Sequence, residues 1–427
     1  MAIQAGGETR LGQAQPSEHP WRQIVANEVH ARPVELVPAT GCVRRVGMLL
    51  PNLPDAVTSA QAEFSAWCTR NGLDAPRGRQ HSYQVATYKV TWELHTEFVT
   101  LTWMSTHTQD ESWPEGIGLE PLAGYALMMA TRIDISNARE VPESRIAELR
   151  LTSLSVSNIE GGRGQIATDL VPDKDGFTRI EFAAGNISEV RRAVVVRRLL
   201  EIETYRVFAL LGLPLARELS PDLSAAEAEL SAEFEIMGNV ATVETSHASL
   251  DKLQSLSLAA SQLAEKTGYR FAASFAYADL LNLRLERLGE ESVGYASTLR
   301  RYLVNRIDPA IATCRAFEKR LAALASKLDR AIGLLNTRIG LDMQMQNRLA
   351  LRSISDTAKS QYRLQRTVEG LSAIAISYYS LAILSYILTG AGEVTKFSEP
   401  LVVALSAPLI IVLAWIALRW VQRQDRS

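Results

Sequence analysis

The chain has 427 residues, 47% hydrophobic and 22% charged, with 45 basic against 47 acidic side chains and a formal net charge of −2. This size admits two or three domains with a buried core, and the balance excludes a wholly disordered chain and a dedicated nucleic-acid binder, which needs a basic surplus on one face. Cys42, Cys68 and Cys314 are far apart, odd in number and without a CxxC pair, so they predict buried free thiols in a reducing compartment, not a disulfide framework or a zinc motif.

Residues 1–18 read as a flexible N-terminus. They hold no basic stretch followed by an apolar run, so no secretory signal is expected and the N-terminal part should stay in the cytoplasm. The next run is densely polar: His19 and Arg22, then NEVHARP at 27–33 with Asn27, Glu28, His30 and Arg32. One reading is a ligand or anion site, with Arg22 and Arg32 as guanidinium forks and Glu28 and His30 as acid/base or metal groups. The simpler reading, which is favoured, is a capped helix end before a proline-led strand.

Residues 19–215 predict an α+β domain. A buried strand is expected over 43–50. A helix over 55–71 puts Val57, Ala60, Phe64 and Trp67 on one face and stops at Gly72. Paired strands are expected over 83–94 and 98–105, which are rich in β-branched and aromatic residues. A helix over 119–130 and a strand over 132–135 follow. Strands over 151–158 and 165–170 flank Gly161-Gly162-Arg163-Gly164 as a hairpin turn, another strand covers 177–182, and a helix over 188–212 starts at Ser188 and stops at Gly212. His95, Glu97 and His107 lie near each other on the predicted hairpin, but a metal site needs inward geometry that strand alternation does not guarantee. The GGRG turn is no phosphate loop, since no Gly-Lys-Ser/Thr follows, and GxSxG, HExxH and HxE…CxxC patterns do not occur. No catalytic residue, metal ligand or cofactor is predicted.

Residues 222–369 read as a helical bundle and stalk, with breaks at Gly268, around Gly289 and at Asp308-Pro309. Cys314, Phe317, Leu321, Leu324, Leu328, Ala331 and Leu335 recur at alternating steps of three and four, a coiled-coil seam that packs either within one chain or between chains. From 342 to 366 the helix is polar and rich in Gln and Arg, as in a solvated stalk or an oligomer interior.

Residues 371–388 and 401–418 contain no charge. Eighteen residues make a helix of about 27 Å, close to the roughly 30 Å of a hydrocarbon core. The second stretch holds eleven Leu, Ile and Val residues, which favour insertion by about 3–7 kcal/mol. The first is weaker, with four serines and three tyrosines, and is expected to insert as a hairpin with the second. Lys359, Arg363 and Arg366 precede the pair and Arg419, Arg423 and Arg426 follow it. Positive flanks stay inside, so 389–400 forms an external loop and 419–427 a cytoplasmic tail. Trp415 and Trp420 fall at the inner headgroup zone.

NEVHARP (27–33), WELHTEF (92–98), DPAIATC (308–314) and RLQRTVEGLSAIAISYY (363–379) together resemble a bacterial family described only as predicted membrane-anchored proteins, a domain of unknown function. The resemblance covers nearly the whole chain and implies a bacterial inner-membrane protein. It supplies no activity and no catalytic residue. The layout also resembles that of CorA-type divalent-cation channels: an α/β cytoplasmic domain, a long helical or coiled-coil stalk and a C-terminal two-helix transmembrane hairpin. That family ends its first span in Gly-Met-Asn, whereas 388–393 here read Leu-Thr-Gly-Ala-Gly-Glu. Under a channel reading, Glu393 and Glu399 would form an acidic ring at the pore mouth, with a divalent cation passing. The sequence therefore points first to a membrane-anchored homo-oligomeric scaffold or sensor, second to a CorA-like channel, and third to an enzyme at the membrane surface built on the NEVHARP cluster. The lipid bilayer and further copies of the chain are the expected partners.

Overall fold

The computed structural model describes residues 19–22, 25–26, 34–106, 111–239, 243–391 and 399–424. Asn27, Glu28, His30, Arg32, His107 and Glu393 lie outside them. The fold is α+β, with an N-terminal sheet and a long helix toward the C-terminus.

Among the described residues nine strands make one sheet: β1 (Gly41–Leu49), β2 (Gln80–Val85), β3 (Tyr88–Leu94), β4 (Phe98–Ser105), β5 (Ala126–Ser136), β6 (Ser155–Ile159), β7 (Gly164–Pro172), β8 (Thr178–Ala183) and the short β9 (Glu291–Ser292). Their order is β2-β3-β4-β1-β5-β8-β7-β6-β9. The β5–β8 pairing is parallel and the other pairings are antiparallel. The helices are α1 (Ala56–Arg70), α2 (Glu143–Ala147), α3 (Glu189–Leu210), α4 (Gly212–Asn239), α5 (Val243–Leu288), α6 (Leu299–Ala391) and α7 (Glu399–Gln424).

Strand alternation divides the core. Val46, Val90, Trp92, Leu101 and Trp103 face α1, whose Ala60, Phe64 and Trp67 close that layer. Phe64 is fully buried and lies parallel to Trp92, with ring centroids 4.4 Å apart. On the other face Val43, Met104, Ile133, Ile180 and Phe182 meet Val195, Val196 and Leu199 of α3, Leu281 and Leu285 of α5, and Leu299 and Leu303 of α6.

Several expectations are met. β1, α1, β4, β7, β8 and α3 fall where the residue pattern places them. Ser188 is the extended residue before α3, although its side chain makes no capping hydrogen bond, and Glu160, Gly161 and Gly162 turn the β6–β7 hairpin with positive φ. Others are corrected. The strand expected over 83–94 is the β2–β3 hairpin, folded at Ala86, which has φ 50°. The expected helix over 119–130 is a single 3-10 turn, Glu120–Leu122, followed by β5. Ala, Leu and Met favour a helix there, but pairing along β1 overrides that local preference. The strand expected from 151 begins at Ser155, after a 3-10 turn over Leu151–Ser153. Gly268 and Pro309 interrupt nothing: they lie inside α5 and α6. Buried Ile307, Ala310 and Ile311 hold the helix through the lost hydrogen bond at Pro309. The break at Gly289 is present, with φ 63°.

The described chain divides into two compact units, one reaching Ala232 and including Ser255–Asp329, the other formed by Glu233–Gln254 with Arg330 onward. In the first unit Phe317 meets Phe271 edge-on at 5.6 Å, and Arg320 pairs with Glu227 at 2.5 Å. All seven seam residues from Cys314 to Leu335 are buried within the single chain, so the seam is filled without a second copy.

In the second unit, nearly every residue from Asp342 to Val368 is exposed. α6 contains an 18-residue stretch long and apolar enough to cross a membrane, of which only 6% is buried. α7 carries a shorter described apolar stretch, Ala404–Ala417. Glu399 is its first residue.

Candidate functional site

The first unit holds an open cleft between the sheet and α3, with about 710 Å³ of empty space including the solvent at its mouth. Register builds its floor. Arg45 of β1 lies opposite Thr102 of β4, which lies opposite Thr91 of β3. The next row carries Gly47, Thr100 and Glu93. These polar residues interrupt otherwise apolar strands on the face toward α3. Ala193, Val196, Arg197, Leu200, Glu201, Thr204 and Tyr205 of α3 form the opposite wall, repeating every three or four residues, and Glu35 and Val37 close one end.

Three ion-pair groups fix the cleft. Arg45 donates from Nη2 to Glu93 Oε2 at 2.8 Å and from Nε to Thr102 Oγ1 at 2.7 Å. Ser82 donates to Glu35 Oε1 at 2.7 Å, and Lys89 pairs with the other oxygen of that carboxylate. Glu201 takes Arg197 at 3.0 Å and also Arg284 of α5. Each carboxylate in the cleft therefore has a cation of its own. Gln80 sets a buried amide oxygen in the wall without a protein partner.

A second charged cluster spans β5, β8 and α2. Asp134 accepts from Arg132 and Arg145, both at 2.8 Å, and Glu181 receives Arg145 at 2.7 Å. Burial pushes the Glu181 carboxyl above its ordinary value, and the Asp134 charge adds to this against the pull of Arg145. Burial, with Asp134 beside it, also pushes the Cys42 thiol up to about 12. Asp134 and Glu181 are buried, 5% and 6% exposed.

Of the residues singled out from sequence, His19, Arg22, His95, Glu97 and Glu399 are among the described ones. His19 and Arg22 lie in an exposed turn, where Trp21 N–H donates to His19 Nδ1 at 3.2 Å. His95 lines the cleft, its ring stacked on Phe98 at 4.1 Å. Glu97, two residues on, pairs with Arg270 at 2.7 Å. Among the described residues no group of three His, Cys, Asp or Glu side chains is placed to hold a metal. Sequence reading missed Arg45, Glu93, Arg197 and Glu201. The available signal was a charged residue inside an apolar strand, as in VRRVGMLL and VTWEL.

The family described as "Protein of unknown function (DUF3422)" matches residues 17–424. No curated protein matches the chain.

Proposed function

Because the chain belongs to the DUF3422 family, whose description assigns no activity, we propose a function from its physical character: a membrane-anchored protein that works as a scaffold or sensor through its α+β unit. One observation carries the anchor. Within the charge-free run 371–388, Leu371, Ile374, Ile376, Ile383 and Ile387 all stand 51–68% exposed on α6. A row of large apolar side chains facing water is unfavourable by about 25 cal/mol per Å², and a bilayer removes that cost. Leu405, Leu409, Ile411, Val412 and Leu413 of α7 are exposed in the same way, which supports a second crossing over 401–418. The arginine and lysine flanks favour the inner face for both ends of the pair and an outward loop at 389–400. We assign the protein to the bacterial inner membrane with its α+β unit on the cytoplasmic side.

The sensor or scaffold role draws support from the cleft. Its carboxylates are held in ion pairs, an arrangement suited to orienting a bound molecule. Extraction of membranes with alkaline carbonate tests the anchor. The full chain is expected in the pellet and a chain ending at residue 369 in the supernatant. Release of the full chain would remove the anchor from this account.

A further inference from the structure

The seam ending at Leu335 is filled within one chain, so it offers nothing to a second copy. Further along α6 a different stripe is open. Ala350, Ile354, Thr357, Gln361, Leu364 and Val368 recur at alternating steps of four and three, the spacing that keeps one helix face against a neighbouring helix over a long distance. All six are exposed, Ile354 at 64% and Leu364 at 66%. Charges avoid them. At about 100° per residue, Arg348, Arg352, Lys359, Arg363 and Arg366 fall within an arc of roughly 60° on the opposite side of the helix.

The stripe continues beyond the polar segment. One additional four-residue step, a stutter, leads to Ser372, after which Ala375, Tyr379, Ala382 and Tyr386 resume the four-three pattern. Tyr379 and Tyr386 are 66% and 81% exposed. Tyr379 lies eight residues past Leu371, about 12 Å along the helix, where a phenol hydroxyl gains from a neighbouring helix and loses against lipid chains. On the reverse side Ser377 is buried, and Ala373 and Leu384 are half-buried, as is Ala382 of the stripe itself.

We propose that this stripe is the seam along which a second copy of the chain packs, parallel and in register, from residue 350 into the first membrane span. A partner attracted by charge would address the basic arc, which faces away. The charge-free stripe selects an equally charge-free helix face, and another copy presents one at the same depth. Thr357 and Gln361 are the polar positions that fix register within an otherwise apolar seam. The inference rests on the anchor, since a shared bilayer is what sets the copies parallel.

The test is oxidative cross-linking in isolated membranes, with carbonate extraction of the same samples. Ile354→Cys, Gln361→Cys and Val368→Cys are compared with Arg352→Cys and Lys359→Cys. The native thiols are buried, and the unsubstituted chain gives the background. Seam positions are expected to form covalent dimers at least fivefold more efficiently than reverse-face positions. Carbonate-resistant protein that cross-links equally from both faces, or from neither, overturns the seam and leaves the anchor standing. Protein released by carbonate overturns the anchor and the parallel seam together.

Discussion

Replacing Arg45 by Met removes the guanidinium that bonds Glu93 at 2.8 Å and Thr102 at 2.7 Å. Among the described residues Glu93 then keeps a 3.4 Å contact from Thr100 Oγ1, and its side chain is 12% exposed. Removing one partner of a buried ion pair costs about 3–5 kcal/mol, because the other charge stays behind uncompensated. The cleft opens to solvent, so we expect the lower end, about 3 kcal/mol. Removing both charges with Arg45→Met and Glu93→Leu takes away the stranded carboxylate, and the double variant should lie within about 1 kcal/mol of the natural chain. Urea unfolding of the full chain in detergent measures this, with fluorescence from the fully buried Trp92 and Trp103 reporting the sheet. A single variant that loses under about 0.5 kcal/mol, or a double variant that loses the sum of both singles, would refute the reasoning.

Three further expectations concern packing and charge, the first and third read by the same unfolding assay and the second by thiol labelling. Phe64→Ala empties the space between α1 and Trp92 and should cost about 3–5 kcal/mol; a loss under about 1 kcal/mol would mean the ring stack is not a packed core. Cys42, Cys68 and Cys314 are all buried, and burial raises the pKa of each, that of Cys42 to about 12. A maleimide at neutral pH should leave all three unmodified in the folded chain and react with all three in dodecyl sulfate, and rapid labelling before unfolding would contradict the structure. Glu181 holds its proton more tightly when folded than its ordinary value of 4.5. Its contribution to stability is therefore greatest below that value and is lost as pH rises through the higher folded value. Glu181→Gln should flatten this decline above pH 4.5, and parallel pH profiles for the two chains would refute the assignment.

Local pattern carried a good deal of the fold. Alternation and β-branched residues located β1, β4, β7 and β8, and the three-four spacing of Phe64 with Trp67 and of Cys314 through Leu335 marked the buried faces of α1 and α6. What failed were elements decided by neighbours distant in sequence. The residues from Ala126 to Ala130 are helix formers by propensity and become strand because β1 offers them a ladder. Pro309 stays helical because the core holds both sides of it. The cleft was the least legible part. Arg45 and Glu93 are 48 residues apart, and Glu201 and Arg284 are 83 apart, so only the strand register and the path of α3 bring them together. His95, noted for metal chemistry, does reach the cleft, while Glu97 turns to Arg270. The NEVHARP cluster falls outside the described residues.

The central claim is topological and is tested most directly by labelling in intact cells with a membrane-impermeant maleimide. Lys396→Cys places a thiol in the connection between the two apolar helices, and Arg163→Cys places one on the exposed β6–β7 turn. The account predicts that Lys396→Cys is modified in intact cells and that Arg163→Cys is modified only after the membrane is opened. Equal labelling of both before permeabilisation, or the reverse order, would contradict it.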